Sequence, residues 1–350
     1  MSELIESLSP EWQFLLISTI KVVAVFAVLL PMIAYSVVAE RRISAFIQDR
    51  IGPNRVGPMG LLQPLADGIK FLLKEDFTPS HVRKAYFILA PVIAMVPAFL
   101  TIAVIPFGSK LGNESMVIAD LNVGVLYSFG IVSLGVYGIV LAGYASNSKY
   151  PFLGGIRSSA QMISYEIAMG LSVVPVFLLV GDLNLSEIIS AQSQSFGDWL
   201  IVGAFPSFVT FLIAVFAETN RLPFDMPESE SELVGGYHTE YSSMKFALFF
   251  LGEYAAMLAA SALMVTLFLG GWTLPFWGLN EPADSLGMGI VHIGIFIGKM
   301  MLFIVLMIWT RWMLPRFRYD QLMDLGWKVF VPCAILLILV YSTLLWLFVA

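Results

Sequence analysis

A run of carboxylates lies between two long apolar stretches of this chain: Ala217-Glu218-Thr219-Asn220-Arg221-Leu222-Pro223-Phe224-Asp225-Met226-Pro227-Glu228-Ser229-Glu230-Ser231-Glu232-Leu233, with Glu240 shortly after. Only 13% of the 350 residues are charged, so concentrating Glu218, Asp225, Glu228, Glu230 and Glu232 around Arg221 points to the handling of protons or cations. Glu228, Glu230 and Glu232 alternate with small or apolar residues, and like charges this close titrate as a coupled set. The plainer alternative is a solvated acidic face, and spacing alone leaves both open.

Two further glutamates fall inside apolar stretches. Glu166 sits in Ser164-Tyr165-Glu166-Ile167-Ala168 and Glu253 in Gly252-Glu253-Tyr254-Ala255. A charged side chain at mid-membrane costs roughly 2.5–3.5 kcal/mol on insertion scales, so such groups face a bundle interior or water and often relay protons. The competing explanation is a hydrogen-bonded, inert glutamate near a helix end. Lys21 and His292 lie close enough to span ends to snorkel or cap. Lys299 lies deeper and is a candidate partner for a carboxylate that the sequence does not name.

A basic segment precedes these groups: Glu40-Arg41-Arg42, then Arg50-Ile51-Gly52-Pro53-Asn54-Arg55-Val56-Gly57-Pro58. The two Gly-Pro pairs impose turns. The arginines could anchor to lipid headgroups, line a polar cavity entrance or dock an acidic partner.

The elements that must position these residues are membrane spans. The chain is 58% hydrophobic, and a soluble domain carries about 25% charged residues, so this is an integral membrane protein. The net charge of −6 gives no basic face for nucleic acid. Cys333 is the single cysteine. A disulfide framework, an iron–sulfur cluster or a thiolate zinc site needs more. His81, His238 and His292 are far apart in sequence. Any redox centre is therefore expected on another chain. Residues 2–13 carry Glu3, Glu6 and Glu11 and no basic residue, which argues against a cleavable signal peptide.

About 20 apolar residues cross the hydrocarbon core. Eight stretches qualify: about 14–38, 85–107, 123–145, 160–181, 199–217, 244–270, 288–310 and 329–349. Each must be helical, because an isolated backbone segment in lipid satisfies its own hydrogen bonds only that way. The expected fold is an all-α polytopic membrane protein, with residues 1–350 as one domain and no internal repeat. All of the 19 Lys and Arg except Lys21, Lys110 and Lys299 fall in or at the edge of the loops after the first, third, fifth and seventh spans. The positive-inside rule makes those loops cytoplasmic and puts both termini outside. Between Met59 and Lys74, Leu61, Leu62, Leu65, Ile69, Leu72 and Leu73 recur at helical spacing among Gln63, Asp67, Lys70 and Lys74. That pattern suits an amphipathic helix in the membrane interface, or a short helix packed on a neighbouring polypeptide. Pro31, Pro91, Pro97, Pro175 and Pro332 suggest kinks or breaks within spans.

Six motifs together resemble one family: Glu40-Arg41-Arg42; the segment Arg50 to Pro58; Leu62-Gln63-Pro64-Leu65-Ala66-Asp67; Ala217-Glu218-Thr219-Asn220-Arg221; Glu228-Ser229-Glu230-Ser231-Glu232-Leu233; and Pro315-Arg316-Phe317-Arg318-Tyr319-Asp320-Gln321-Leu322. The family is the H-type membrane component of the bacterial proton-pumping NADH:quinone oxidoreductase, respiratory complex I, whose mitochondrial counterpart is called subunit 1. The resemblance runs from about residue 15 to the end and shows no departure at these motifs.

The resemblance implies a component that joins the peripheral electron-transfer arm to the membrane arm in the bacterial inner membrane. It would form the membrane half of a quinone chamber entered near the first span and the amphipathic helix. Arg41, Asp67, Arg221, Phe224, Arg316 and Arg318 would line or support that chamber, with Glu40 near the entrance. Glu166, Glu218, Asp225, Glu228, Glu230, Glu232, Glu240 and Glu253 would form the polar path that couples it to the membrane arm. The chain itself would bind no cofactor and take quinone as substrate. Partners would carry flavin mononucleotide and iron–sulfur clusters, beside the quinone-site subunit, small membrane subunits and antiporter-like subunits. Rival readings are a homologous component of a hydrogenase or formate-hydrogenlyase complex, a stand-alone ion-coupled transporter and a passive anchor.

Overall fold

The computed structural model describes residues 9–112, 114–227 and 230–349. Glu3, Glu6 and Glu228 lie outside the described residues. Among the described residues, seven helices are long and apolar enough to cross a membrane. The only strand pairing described is a short antiparallel hairpin, β1 (Lys110–Leu111) with β2 (Glu114–Ser115).

The first helix, α1 (Pro10–Ile47), is 38 residues long. At 1.5 Å per residue that is about 57 Å, well beyond the ~30 Å hydrocarbon core. Helix was expected to end near residue 38. It continues because Glu40-Arg41-Arg42-Ile43-Ser44-Ala45-Phe46-Ile47 contains no Gly or Pro, and the first breaker is Gly52. Glu40 and Arg41 are therefore fixed on a rigid helix rather than carried by a loop. The short helix α2 (Gln63–Leu73) follows, starting with Pro64 in its first turn. Leu65, Ile69, Leu72 and Leu73 are exposed on it.

Next come α3 (Lys84–Ile102), α4 (Gly124–Ala145) and α5 (Lys149–Val180). The last starts eleven residues before the expected 160, because Pro151 falls in its first turn, where its missing N–H costs nothing. Arg157, Gln161 and Glu166 thus share one helix. Helices α3 and α4 approach closely at Gly138, where an added Cβ would lie 2.4 Å from the Ala94 nitrogen. Small residues at such crossings let backbones pack directly, the main source of attraction between helices in lipid.

The fifth expected span, 199–217, is interrupted. After α6 (Leu185–Ala191), the chain forms α7 (Leu200–Gly203) and then α8 (Phe205–Glu218), separated at Ala204. Pro206 has no N–H for the continuing ladder, and the residue before a proline is pushed out of helical geometry. Beyond the acidic segment, which forms one turn, α9 (Glu230–Leu233), comes α10 (Ser243–Phe268), the most buried span. Then follow α11 (Leu286–Met313), α12 (Tyr319–Asp324) and α13 (Val331–Val349). A π-helical stretch, Leu325–Phe330, joins the last two into one span. Pro31, Pro91, Pro97 and Pro175 lie inside helices that continue through them.

Lys299 finds a backbone partner, not a carboxylate. Its ammonium donates to the carbonyls of Leu269, Gly271 and Thr273 at 2.6, 2.9 and 2.7 Å. It thereby satisfies the turn at the C-terminal end of α10, where a cation also suits the helix dipole. Lys21 pairs with Glu114 at 2.9 Å, and His292 Nδ1 meets Ser109 Oγ at 2.8 Å.

The main core runs between α5, α8, α10 and α11 around Tyr165, Phe211, Met257, Leu258 and Phe303. Tyr165 donates to the Leu322 carbonyl at 2.9 Å and meets the edge of Phe224 at 5.4 Å between ring centres. Those contacts seat the segment after α8 against α5 and α12.

A candidate polar cavity between helices α1, α10 and α11

Helices α1, α10 and α11 bring together side chains that are far apart in sequence. Glu40, 5% exposed, is the hub. Arg221 Nη1 lies 2.9 Å from Glu40 Oε2, and the Tyr254 hydroxyl donates to the same oxygen at 2.7 Å. Arg311 binds the other oxygen, Oε1. Arg221 also reaches Glu253, Nε to Oε1 at 3.1 Å, and its guanidinium stacks 4.4 Å from the Tyr254 ring centre. Burial works against the charge of Arg221, but Glu253 and Glu40 outweigh it and hold the guanidinium above its ordinary value. Next to this network, Arg316 Nη2 pairs with Asp225 Oδ2 at 2.7 Å, and Trp312 donates to Ser44 Oγ at 2.8 Å.

All of these residues except Arg316 border a cavity of about 690 Å³, lined also by Arg41, Arg50, Gln63, Asn220, His238 and Phe250. Three carboxylates, Glu40, Asp225 and Glu253, meet Arg41, Arg50, Arg221 and Arg311 in its lining, and most of these charges are held in ion pairs within or behind the wall. Such a site offers hydrogen-bond donors and acceptors to a polar group. One wall is held by Arg41 Nη1 to Asp67 Oδ2 at 2.7 Å and Gln63 to Asp67 Oδ1 at 2.9 Å. The first docks α2, with its exposed leucines, against α1, and the second orients the Asp67 carboxylate within α2. Its other end is fixed by Ser243, whose hydroxyl donates to the Phe71 and Lys74 carbonyls.

A second, mostly apolar pocket of about 100 Å³ lies further into the bundle, between α3, α4, α5, α8 and α10. Glu218 and Glu253 both border it. Glu218 is buried, and neither of its oxygens has a hydrogen-bond partner among the described residues. Glu166, which accepts from Ser133 Oγ, is near enough for its charge to act on Glu218. Asn220 and Glu253 line both cavities and form the wall between them.

The remaining expected site residues stand elsewhere. Phe224 is buried under the cavity against Tyr165 and Phe317 rather than in its lining. Arg318 is exposed and pairs with Asp320. Glu232 pairs with Arg157 at 2.6 Å, and Glu240 lies 4.0 Å from His81. Glu230 belongs to a one-turn helix, but its side chain is not among those described. Arg311, Tyr254, Gln63 and Gln161 escaped sequence reasoning. Arg311 looked like an ordinary arginine at a span end. Tyr254 carried a signal only in standing next to Glu253.

Fold and site together define a polytopic helical membrane protein with a polar cavity, lined by ion-paired side chains, between its spans. The chain belongs to the NADH dehydrogenase family, which it matches over residues 20–342. It is 50% identical over 343 residues to an H-type NADH-quinone oxidoreductase component of Cytophaga hutchinsonii, covering 96% of this chain and 98% of that protein. It is 52% identical over 309 residues to the H-type component of Rhodospirillum rubrum, covering 87% and 88%. That of Frankia alni is likewise 52% identical over 339 residues, 95% of this chain and 73% of that one. The resemblance drawn from the six motifs is borne out.

Proposed function

We propose that this chain is the complex I membrane component that holds the membrane part of the quinone chamber and couples quinone reduction to proton translocation. The observation that carries this reading is the polar cavity of about 690 Å³ lined by ion-paired side chains. A quinone headgroup is neutral and carries oxygen acceptors, and Arg221, Arg311 and Tyr254 are donors held around it. The exposed leucines of α2 beside it suit an interfacial helix at the entrance. The interrupted α7–α8 segment completes the eight spans, with both termini on the periplasmic side of a bacterial inner membrane. Flavin mononucleotide and iron–sulfur clusters belong to partner subunits of the peripheral arm, and small and antiporter-like membrane subunits adjoin on the other side.

Coupling runs through carboxylates. Reduction of quinone changes charge and proton demand next to Glu253 and Asp225. That change acts on Glu218 and then Glu166 through Coulomb interaction, which is several-fold stronger in a low-dielectric interior than in water. Glu228, Glu230, Glu232 and Glu240 respond from the acidic segment. The near full-length relatives named NADH-quinone oxidoreductase favour this over the hydrogenase-type alternative. In the purified complex reconstituted in vesicles, Glu218→Gln and Glu228→Gln should each lower quinone-coupled proton pumping while the complex assembles. Full coupled pumping in both variants would sink the coupling assignment. Arg221→Lys should raise the quinone KM, and an unchanged KM would remove the cavity assignment.

A further inference from the structure

Gln161 lines neither cavity, yet it governs the segment that serves both. It lies on α5 with no exposure. Its Nε2 donates to the Ala217 carbonyl at 2.8 Å and the Phe224 carbonyl at 2.7 Å, with Asn220 Oδ1 at 3.3 Å. One amide therefore ties the last turn of α8 to the chain seven residues on, closing the turn that carries Arg221. Inside that turn Asn220 has a left-handed backbone, φ 51°. Arg221 N–H bonds to the Phe216 carbonyl at 3.1 Å, and Phe224 N–H to the Arg221 carbonyl at 2.8 Å. The result sends Glu218 and Arg221, three residues apart, to different compartments: Glu218 to the apolar pocket, Arg221 to the polar cavity.

We propose that Gln161 is a positioning residue that clamps the 217–224 turn, so that Arg221 faces the quinone cavity and Asn220 closes the wall toward Glu218. The inference rests on the quinone-cavity reading above. Its physical basis is the pair of carbonyls converging on one NH2 group. Each carbonyl also accepts one local backbone N–H, Ala217 from Asn220 at 3.3 Å and Phe224 from Met226 at 3.0 Å; without the amide they keep these bonds but lose the donor that joins the two ends, and the turn is free to open. Arg221 moves with it, leaving the positions from which it meets Glu40 and Glu253. Gln161 touches no substrate, so its effect appears through Arg221.

The test uses the full complex with Gln161→Met, Gln161→Glu and, in parallel, Arg221→Lys. Gln161→Met removes the donors at similar volume. It should raise the quinone KM by up to about tenfold, the order expected for one buried hydrogen bond lost, with a smaller fall in kcat. Burial among carbonyl oxygens disfavours the carboxylate, so Gln161→Glu should keep an O–H donor and a KM nearer the wild-type value at neutral pH and below, and move toward the Gln161→Met value as pH rises. Gln161→Met should show no such pH dependence. A merely structural role would lower the amount of assembled complex on native gels without this pH-dependent KM.

If Arg221→Lys raises the KM while both Gln161 variants keep the wild-type value, the positioning role is overturned and the cavity reading stands. If Arg221→Lys also leaves the KM unchanged, both fall together. Should Gln161→Met fail to assemble, Gln161→Asn takes its place. It keeps the amide but withdraws it by one methylene, and a wild-type KM there overturns the inference.

Discussion

Removing the Arg221 charge should damage this protein through Glu253 more than through Glu40. Arg221 is almost fully buried and sits between the two carboxylates at 2.9 and 3.1 Å. In Arg221→Met, Glu40 retains Arg311 and the Tyr254 hydroxyl. Glu253 loses the one ion-pair partner described for it. Breaking a buried pair by deleting one member costs about 3–5 kcal/mol, because the other charge stays buried without compensation. Glu253→Gln alone should cost far less, since Arg221 remains paired to Glu40. Adding Glu253→Gln to Arg221→Met removes the stranded charge and should recover about 2 kcal/mol or more, a coupling of the size seen for contacting residues.

Large membrane assemblies unfold irreversibly, so the assay is the inactivation half-life of the solubilised complex at a fixed temperature. If the penalty falls on the unfolding rate, 3 kcal/mol shortens the half-life by about two orders of magnitude. The double variant should regain at least one of them. Equal half-lives for Arg221→Met and the double variant would refute the reasoning, because the cost would then not come from the stranded Glu253.

Two other expectations are independent of function. Gly138→Ala places a methyl 2.4 Å from the Ala94 nitrogen and must push α3 and α4 apart, whereas Gly130→Ala meets nothing within 4 Å. The first should cost about 1–3 kcal/mol by overpacking and shorten the same half-life, and the second should leave it unchanged. His238 lies in the loop before α10, packed edge-on against Phe246, and burial lowers its pKa from 6.5 to about 4. The unfolded chain takes up that proton more readily, so the stability this group confers is present above pH 6.5 and lost as pH falls toward 4. The loss amounts to roughly 2–4 kcal/mol. His238→Gln should flatten that part of the pH profile of thermal unfolding, and an unchanged slope would show that other groups set it.

The amino-acid sequence alone determined the class of protein. Its apolar stretches are long enough to span, its few charges are concentrated rather than scattered, and its six motifs match one family. These are properties of composition and of neighbours along the chain, which one dimension records. It also marked Glu218 and Glu253 as candidates, with a solvated or inert role left open, and the family resemblance added Glu40 and Arg221. It did not say which of them meet.

Glu40, expected near the chamber entrance, is the buried hub of the ion-pair network. Arg311 and Tyr254, which complete that hub, lie 271 and 214 positions away from it. Gln161 is separated by 56 residues from the Ala217 carbonyl it clamps. Helical periodicity encodes partners three or four residues apart, whereas these contacts are set by how α1, α5, α8, α10 and α11 pack. Local sequence carries α1 past the expected end of the span and breaks the fifth one at Ala204, but only tertiary packing put Glu40 and Arg41 in the cavity wall. It also turned the chain after α8, so that Glu218 and Arg221 serve two compartments from one short segment.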